Sequence, residues 1–288
     1  EWKPAQSLAF SAGKMRNPLI AVSELMWDAD LNPEGLAVRG QCDLGKTRPF
    51  LNAAYFWLEE RAGTDSKLYT GQIGAELPMG QATAQIGAGY SSFDNVRGID
   101  VWDWLGGNNS RGNSTVPGSV TDGVTNKAYA SGFGILDAFA TCRTAAFGVP
   151  VKATVHCLRN LDADDNNDAW LVGISIGQLK SKGDWQFTYD FRELEKDAVL
   201  GCFSDSSFLG GGADGRGHKV GIARQLLKNA DIRFTAFLDT RLISNPESSE
   251  RFNLYQIDDL LARRDKIPFI EFTDANFSRE WRQNIGFG

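Results

Sequence analysis

The chain has 288 residues, a formal net charge of −6 and a sequence pI of about 5.1. This acidic balance argues against a nucleic-acid partner, which would need a basic surface. Mean hydropathy is −0.29, and no stretch approaches the roughly 20 apolar residues that a membrane helix requires. Membrane-crossing strands stay possible, because such strands expose only every second side chain to lipid.

Alternation of apolar and polar residues, the pattern of a β-strand, runs through four stretches of the chain. They are 68–77, 82–92, 184–192 and 231–241. In the third, Trp185 and Phe187 begin an apolar face that lies opposite a polar one, and in the fourth Phe237 breaks the alternation. Strands of about ten residues are long for a soluble sheet and match the length that crosses a bilayer at a tilt.

The connections between these stretches alternate between short turns and long polar loops. Short turns are predicted at 78–81, 147–150, 180–183 and 228–231, and long loops at 60–67, 93–127, 160–167, 194–216 and 241–250. Bacterial outer-membrane barrels have short periplasmic turns and long external loops. The pattern predicts about twelve strands, at 7–15, 35–42, 49–59, 67–78, 82–92, 127–142, 150–160, 168–180, 184–194, 217–227, 231–241 and 251–262.

The sequence therefore predicts an all-β fold, an antiparallel transmembrane β-barrel over residues 1–262. Residues 263–288 are predicted to form a C-terminal extension or an additional strand, for example around 278–287. Charged residues on one strand face suit a water-filled lumen, because unpaired charge in a dry core costs several kcal/mol. A soluble β-sandwich stays open as an alternative, since polar-out and apolar-in faces give the same period.

Several motifs resemble those of the putative porin family, in the order in which they occur there. They are GKMRNP at 13–18, WDADLNPEGLA at 27–37, KGDWQ at 182–186, EKDAVL at 195–200 and FSDSSF at 203–208, followed by GGG at 210–212 and RGH at 216–218. Family members have strands before the first motif and end in an aromatic residue soon after the last strand. The resemblance thus implies a larger barrel, of roughly 16 strands, and two alternatives stay open: this chain lacks the N-terminal strands, or it diverges from the family there.

Charged residues on the predicted lumen faces are candidates for setting ion preference, because rings of charge select the sign of an ion. These pore-lining candidates are Lys14, Arg39, Glu76, Lys152, Asp190, Arg192, Arg233 and Asp239. Loop 93–127 is the longest, so it is expected to fold inward as a constriction, with Asp100, Trp102, Asp103 and Trp104 as its candidate residues. Segment 16–34 is expected to be a structured loop at or in the pore mouth.

No metal site is predicted, although Asp162, Asp164 and Asp168 are weak candidates for Ca²⁺ ligands in an acidic loop. No cofactor is expected. No Ser-His-Asp set or phosphate-binding motif stands in a suitable context, so the protein is not expected to be an enzyme. The Gly210–Gly212 run is interpreted as a flexible external turn.

The resemblance implies a bacterial outer-membrane porin through which small hydrophilic solutes or ions diffuse passively. Its partners would be outer-membrane lipid, lipopolysaccharide and the solutes themselves, with a homo-oligomer, for example a trimer, as the assembly. The alternative is a structural barrel that anchors or sheathes a partner protein, and it is motivated by the unusual C-terminal residues.

Overall fold

The computed structural model describes residues 1–61, 63–102, 108–245, 252–261 and 270–273. Residues 258–261 and 270–273 are described by their backbone alone. Its strands are β1 Trp2–Ala5, β2 Leu8–Lys14, β3 Glu34–Gln41, β4 Arg48–Glu59, β5 Ser66–Met79, β6 Ala82–Asp94, β7 Thr115–Thr121, β8 Val124–Tyr129, β9 Phe133–Ala146, β10 Val149–Asn160, β11 Asp168–Gly177, β12 Trp185–Leu194, β13 Gly215–Leu227, β14 Ala230–Leu242, β15 Phe252–Leu261 and β16 Ile270–Thr273. Single-turn 3-10 helices at Gly201–Phe203 and Phe208–Gly210 lie between β12 and β13. Among the described residues, no helix has the length and apolar character needed to cross a membrane.

Fourteen strands form one antiparallel sheet in which each strand pairs with its neighbours in chain order, apart from the separate hairpin β7–β8. The twelve predicted strands correspond to β2–β6 and β9–β15, while β1 and β16 extend the two edges. The prediction of a strand at 127–142 is wrong at its start, because 124–129 belongs to the hairpin and the sheet strand begins at Phe133. The strand expected around 278–287 lies outside the described residues.

The two faces of the sheet have an inverted polarity. On β5, Thr70 and Gln72 are buried, whereas their neighbours Tyr69 and Ile73 are 50% and 60% exposed. The same alternation places Thr154 of β10 on the buried face and its neighbour Val155 on the exposed one. We call the polar, buried face the inner face, because the long connections fold over it. In a soluble sheet the apolar face would be the covered one.

Phe237, the exception to alternation in the sequence, lies on this inner face. It is fully buried and packs against Phe208 and Leu254 beneath the β12–β13 connection. Its position shows why the pattern fails there: a folded loop covers this part of the inner face, so an apolar side chain is suited to it.

An apolar cluster covers the inner face at the end where the long loops lie. The strands of the sheet contribute Phe56, Leu68, Phe93, Phe133, Ile135, Leu158, Leu171 and Leu194, the loops contribute Leu25, Trp27, Val101, Trp102, Val199 and Phe203, and the hairpin β7–β8 contributes Tyr129. Because residues of seven strands meet in one cluster, the sheet curves around it. The inner face is thus dry at the long-loop end and polar toward the short turns.

The sheet is closely packed where two glycines pair on the inner face, Gly74 with Gly87. The rings of Phe50 and Phe139 lie over them, so that a Cβ on Gly74 would stand 2.4 Å from Phe50 Cζ and 2.1 Å from the Ile86 carbonyl oxygen. We therefore expect Gly74→Ala to lower the free energy of unfolding by about 1–3 kcal/mol, the usual cost of overpacking. Urea unfolding followed by tryptophan fluorescence measures this change.

Gly71→Ala is the matched control, since it lies on the same strand and a Cβ there meets no atom within 4 Å. Equal stability of the two variants would contradict the packing described here.

Candidate functional site

The connection between β2 and β3, residues 15–33, crosses the inner face, and we call it the crossing segment. It contacts the inner face of three strands that are far apart in the sheet order, namely β5, β10 and β13. One short segment reaches all three only because the sheet curves around it. The segment is thus structured, as expected for residues 16–34, while its place at or in a pore mouth stays a prediction.

Two hydrogen-bonded groups fasten the middle of the crossing segment. On β5, Gln72 accepts a bond from the Ile20 amide at 2.9 Å and donates one to the Ile20 carbonyl at 3.1 Å. On β10, His156 Nδ1 lies 2.6 Å from Ser23 Oγ, and its Nε2 lies 2.8 Å from Asp137 Oδ1. Both Gln72 and His156 are buried, so these bonds also satisfy polar groups that would otherwise lack partners.

The Ser23–His156–Asp137 chain is a Ser-His-Asp set that the sequence did not reveal. The three residues are far apart in sequence, and only the inward fold of the crossing segment brings Ser23 to His156. Ser23 Oγ also lies 3.3 Å from the Leu25 amide, which donates to it. When Nε2 donates a hydrogen bond to Asp137, Nδ1 accepts one from the Ser23 hydroxyl group. Both ring nitrogens then have partners, and the chain of hydrogen bonds holds the crossing segment on β10.

Five charged residues form a network that joins the crossing segment to strands β12 and β13 and to the β12–β13 connection. Lys219 Nζ donates to Glu24 at 2.6 Å and to Asp205 at 2.9 Å. Arg192 donates to Asp205 and to Asp190, each at 2.9 Å. Arg192 is almost fully buried, and a buried charge is tolerated only when it is paired and hydrogen-bonded.

Asp205 is the centre of this network, because it accepts from both cations. Burial raises the pKa of its carboxyl group, but the neighbouring charges of Lys219 and Arg192 outweigh burial and lower that pKa to about 2. Asp205 therefore stays ionised throughout the physiological range. Its amide also donates to the Glu24 carbonyl at 3.1 Å.

The crossing segment separates two polar cavities. The larger, of about 830 Å³, lies between the segment and strands β10–β14, and the smaller, of about 380 Å³, lies beside β2–β4. Charged and hydroxyl side chains line the larger cavity, among them Arg16, Asp30, Lys152, Thr154, Ser175 and Thr188. Polar cavities of this size can hold water and small hydrophilic solutes.

The structure brings four of the predicted pore-lining residues together. Lys152, Asp190, Arg192 and Arg233 all line the larger cavity. Arg39 lines the smaller one and pairs with Glu1.

The other predicted pore-lining residues lie elsewhere. Glu76 lies on the inner face outside both cavities. Asp239 pairs with Arg241 at 3.3 Å near the long-loop end, where the β14–β15 register shifts.

The prediction that Lys14 lines the pore is wrong. Its register partner is Glu34, and inner positions alternate through Gly35 and Gly13, so Lys14 is exposed on the outer face. The short strand β2 offers few apolar residues by which its face could be recognised in the sequence.

The described part of loop 93–127 does not line either cavity. Asp100 accepts hydrogen bonds from the Ser119 amide at 2.9 Å and from Asn126 at 3.1 Å, and so fastens the hairpin β7–β8. Trp102 is buried in the apolar cluster. Asp103 and Trp104 lie outside the described residues. The segment that crosses the inner face is the 15–33 connection instead.

The weak Ca²⁺ candidates are not assembled into a site. Asp168 is held by Arg159, which donates to both of its carboxylate oxygens at 2.7 and 2.5 Å. In the described ranges, no three His, Cys, Asp or Glu side chains are grouped so that they could hold a metal ion.

Sequence reasoning missed most residues that hold the crossing segment, namely Glu24, Gln72, His156, Asp205 and Lys219. Gln72 was visible only as one polar residue on a strand face. Asp205 lies in the FSDSSF motif, which was the one available signal. The partners are separated by more than 50 residues in most of these contacts, so spacing along the chain could not join them.

The class of protein follows from one antiparallel sheet with an inverted polarity and inward-folded loops, an arrangement typical of porins. The putative porin family matches residues 1–129 and 135–263, which is most of the chain. The chain therefore belongs to the putative porin family. No curated protein matches it.

The ion network predicts the effect of Asp205→Asn. Lys219 and Arg192 would each lose one ionic partner while keeping Glu24 and Asp190, so the loops should be held less tightly by about 1–3 kcal/mol. Hydrogen exchange of the Asp28 and Asp205 amides, which bond to the Phe203 and Glu24 carbonyls, should accelerate. Asp164→Asn, in an exposed turn, should leave exchange unchanged; an equal effect of both variants would contradict the network.

Acid should weaken this ion network only at low pH. Because the pKa of Asp205 is lowered from 3.8 to about 2, its contribution is complete above pH 3.8 and is lost as the pH falls through about 2. Cleavage of the crossing segment by pepsin should therefore increase more between pH 3 and pH 2 in the parent chain than in Asp205→Asn. Identical pH profiles of the two proteins would contradict this assignment.

Proposed function

We propose that this chain is a bacterial outer-membrane porin, in which the sheet closes into a barrel and small hydrophilic solutes or ions diffuse passively past the crossing segment. The observation that carries this proposal is the inverted polarity of the sheet. Gln72 and Thr154 are buried on the inner face, while Ile73 and Val155 lie on the outer face and are exposed. Such faces suit water inside and lipid outside.

Burial in lipid gives the outer face a favourable environment. Transfer of apolar surface out of water lowers the free energy by roughly 25 cal/mol per Å². The outer positions of β4, β5, β6, β11 and β12 carry large exposed apolar side chains. Tyr55, Trp57 and Tyr69 form ring contacts near the long-loop end of β4 and β5. Aromatic groups of this kind are typical of membrane interfaces.

Closure would require the β1 and β16 edges, or further strands between them, to be joined. The contacts of one crossing segment with β5, β10 and β13 support strong curvature of the sheet. In the outer membrane the long loops would face outward and meet lipopolysaccharide, the short turns would face the periplasm, and copies of the barrel would associate. The protein would perform no chemistry on its solutes.

The apolar cluster favours a second candidate, a structural barrel that anchors or sheathes a partner protein. Trp27, Trp102 and Phe203 pack together over the inner face at the long-loop end, and so they narrow any path there. This candidate predicts a folded barrel without measurable current. A pulldown from native membranes would then recover a stoichiometric partner.

Conductance distinguishes the two candidates. The purified chain, folded in detergent and shown to be heat-modifiable on gels, should give discrete ohmic steps in planar lipid bilayers. Gln72→Ala should raise the step size or its fluctuations, because the two hydrogen bonds to Ile20 that hold the crossing segment are lost. Gln81→Ala is the control, since it removes the same type of side chain from the exposed short turn between β5 and β6.

A folded chain without conductance would overturn the pore. A Gln72→Ala variant with unchanged conductance would contradict the role of the crossing segment as the constriction.

A further inference from the structure

We propose that Lys152 and Arg143 together form a binding site for small anions, which gives the pore a preference for anions. This inference rests on the proposed function and names its solute class. It begins with the register of the sheet on the inner face.

Arg143 and Lys152 are direct register partners on β9 and β10. Lys152 lies in the inner-face series of β10 with buried Thr154, and Arg143 lies in that of β9 with buried Thr141. Opposite residues of antiparallel strands have Cβ atoms roughly 4.5–5.5 Å apart, where like charges destabilise a sheet. A nearby negative charge would therefore stabilise a pair of cations in this position.

The neighbouring strands provide no such counter-charge in the same row of register partners. From β6 to β13 this inner row is Thr83, Arg143, Lys152, Ser175, Thr188 and Gly221. It contains the two cations and no carboxylate. Neither cation has an ion-pair partner within 4 Å among the described residues, and the one hydrogen bond of the Arg143 side chain is to Gln85 at 3.3 Å.

The next inner row toward the long loops provides no direct ionic partner either. Over β10–β13 its one carboxylate is Asp190, the register partner of Gly173 and Lys219. Asp190 is already bonded to Arg192 through both Nε and Nη2 at 2.9 Å. Glu76 continues this row on β5, and Glu24, Asp28 and Asp30 of the crossing segment line the same cavity. Lys152 and Arg143 therefore have carboxylates in their surroundings but, among the described residues, no direct ionic partner.

Lys152 is also half-buried in the wall of the larger cavity. A concave, low-dielectric wall concentrates the field of a charge and raises the local concentration of counter-ions. Ser175, on the same row and in the same cavity, accepts a hydrogen bond from Gln186 at 3.3 Å, so its hydroxyl group can donate a hydrogen bond to an anion. The cavity thus combines Lys152 and the Ser175 hydroxyl on one wall, and Arg143 lies beside Lys152 as its register partner.

The test is the reversal potential of the folded protein across a planar bilayer with a KCl gradient. The parent chain should be more permeable to chloride than to potassium, and Arg143→Gln/Lys152→Gln should lose this preference. Lys182→Gln/Lys228→Gln removes the same charge from exposed short turns and should keep it. Conductance with no preference, with a preference for potassium, or with equal loss in both variants would overturn the inference and leave the pore intact.

Two further readouts separate this inference from the pore and from misfolding. Calorimetric titration of the detergent-folded protein with sodium phosphate should show binding that the Arg143→Gln/Lys152→Gln variant loses, even if no current is seen. Absence of phosphate binding in a parent chain that also lacks anion preference would overturn the site. Because removal of like charges relieves repulsion, the variant should unfold in urea no more easily than the parent; a loss of stability would indicate a structural role instead.

Discussion

The inward-facing polar side chains of the strands are the constraint on which the rest of the structure depends. A sheet with Gln72, His156, Arg192 and Lys219 on its inner face cannot pack against a second apolar layer, because each buried polar group needs a partner. The crossing segment and the β12–β13 connection provide these partners. The long loops therefore complete the interior and are held there by charge and hydrogen bonds.

The interior is consequently divided along the strands. At the long-loop end, aromatic residues of three connections pack into the apolar cluster, and this packing gives the loops defined positions. Toward the short turns the strands keep their polar residues, and the cavities form between these strands and the crossing segment. The proposed constriction lies where the crossing segment contacts β5, β10 and β13, and the proposed anion site lies closer to the short turn between β9 and β10.

Much of this fold could be predicted from the sequence, and the reason is local. Alternation along a strand has a period of two, so β5, β6 and β12 and their polar faces were visible in the residues themselves. Short turns such as 228–229 were visible because they interrupt this alternation. The site was less visible, because Ser23 and His156, or Glu24 and Lys219, meet only through the curvature of the sheet. The Gly210–Gly212 run illustrates the limit: it was expected to be a flexible turn, yet a Cβ on Gly212 would stand 2.4 Å from the Arg111 carbonyl oxygen, so the run permits close packing.

The central claim is that the apolar face meets lipid while the polar face meets water, and native thiols provide its most direct measurement. Cys157 is exposed on the outer face of β10, and Cys42 is exposed beyond the end of β3. In protein folded into lipid vesicles, a charged, membrane-impermeant maleimide should label Cys42 and a Ser175→Cys variant on the cavity wall, and it should leave Cys157 unlabelled. Labelling of Cys157 with protection of Ser175→Cys would contradict the account, because it would place water on the apolar face.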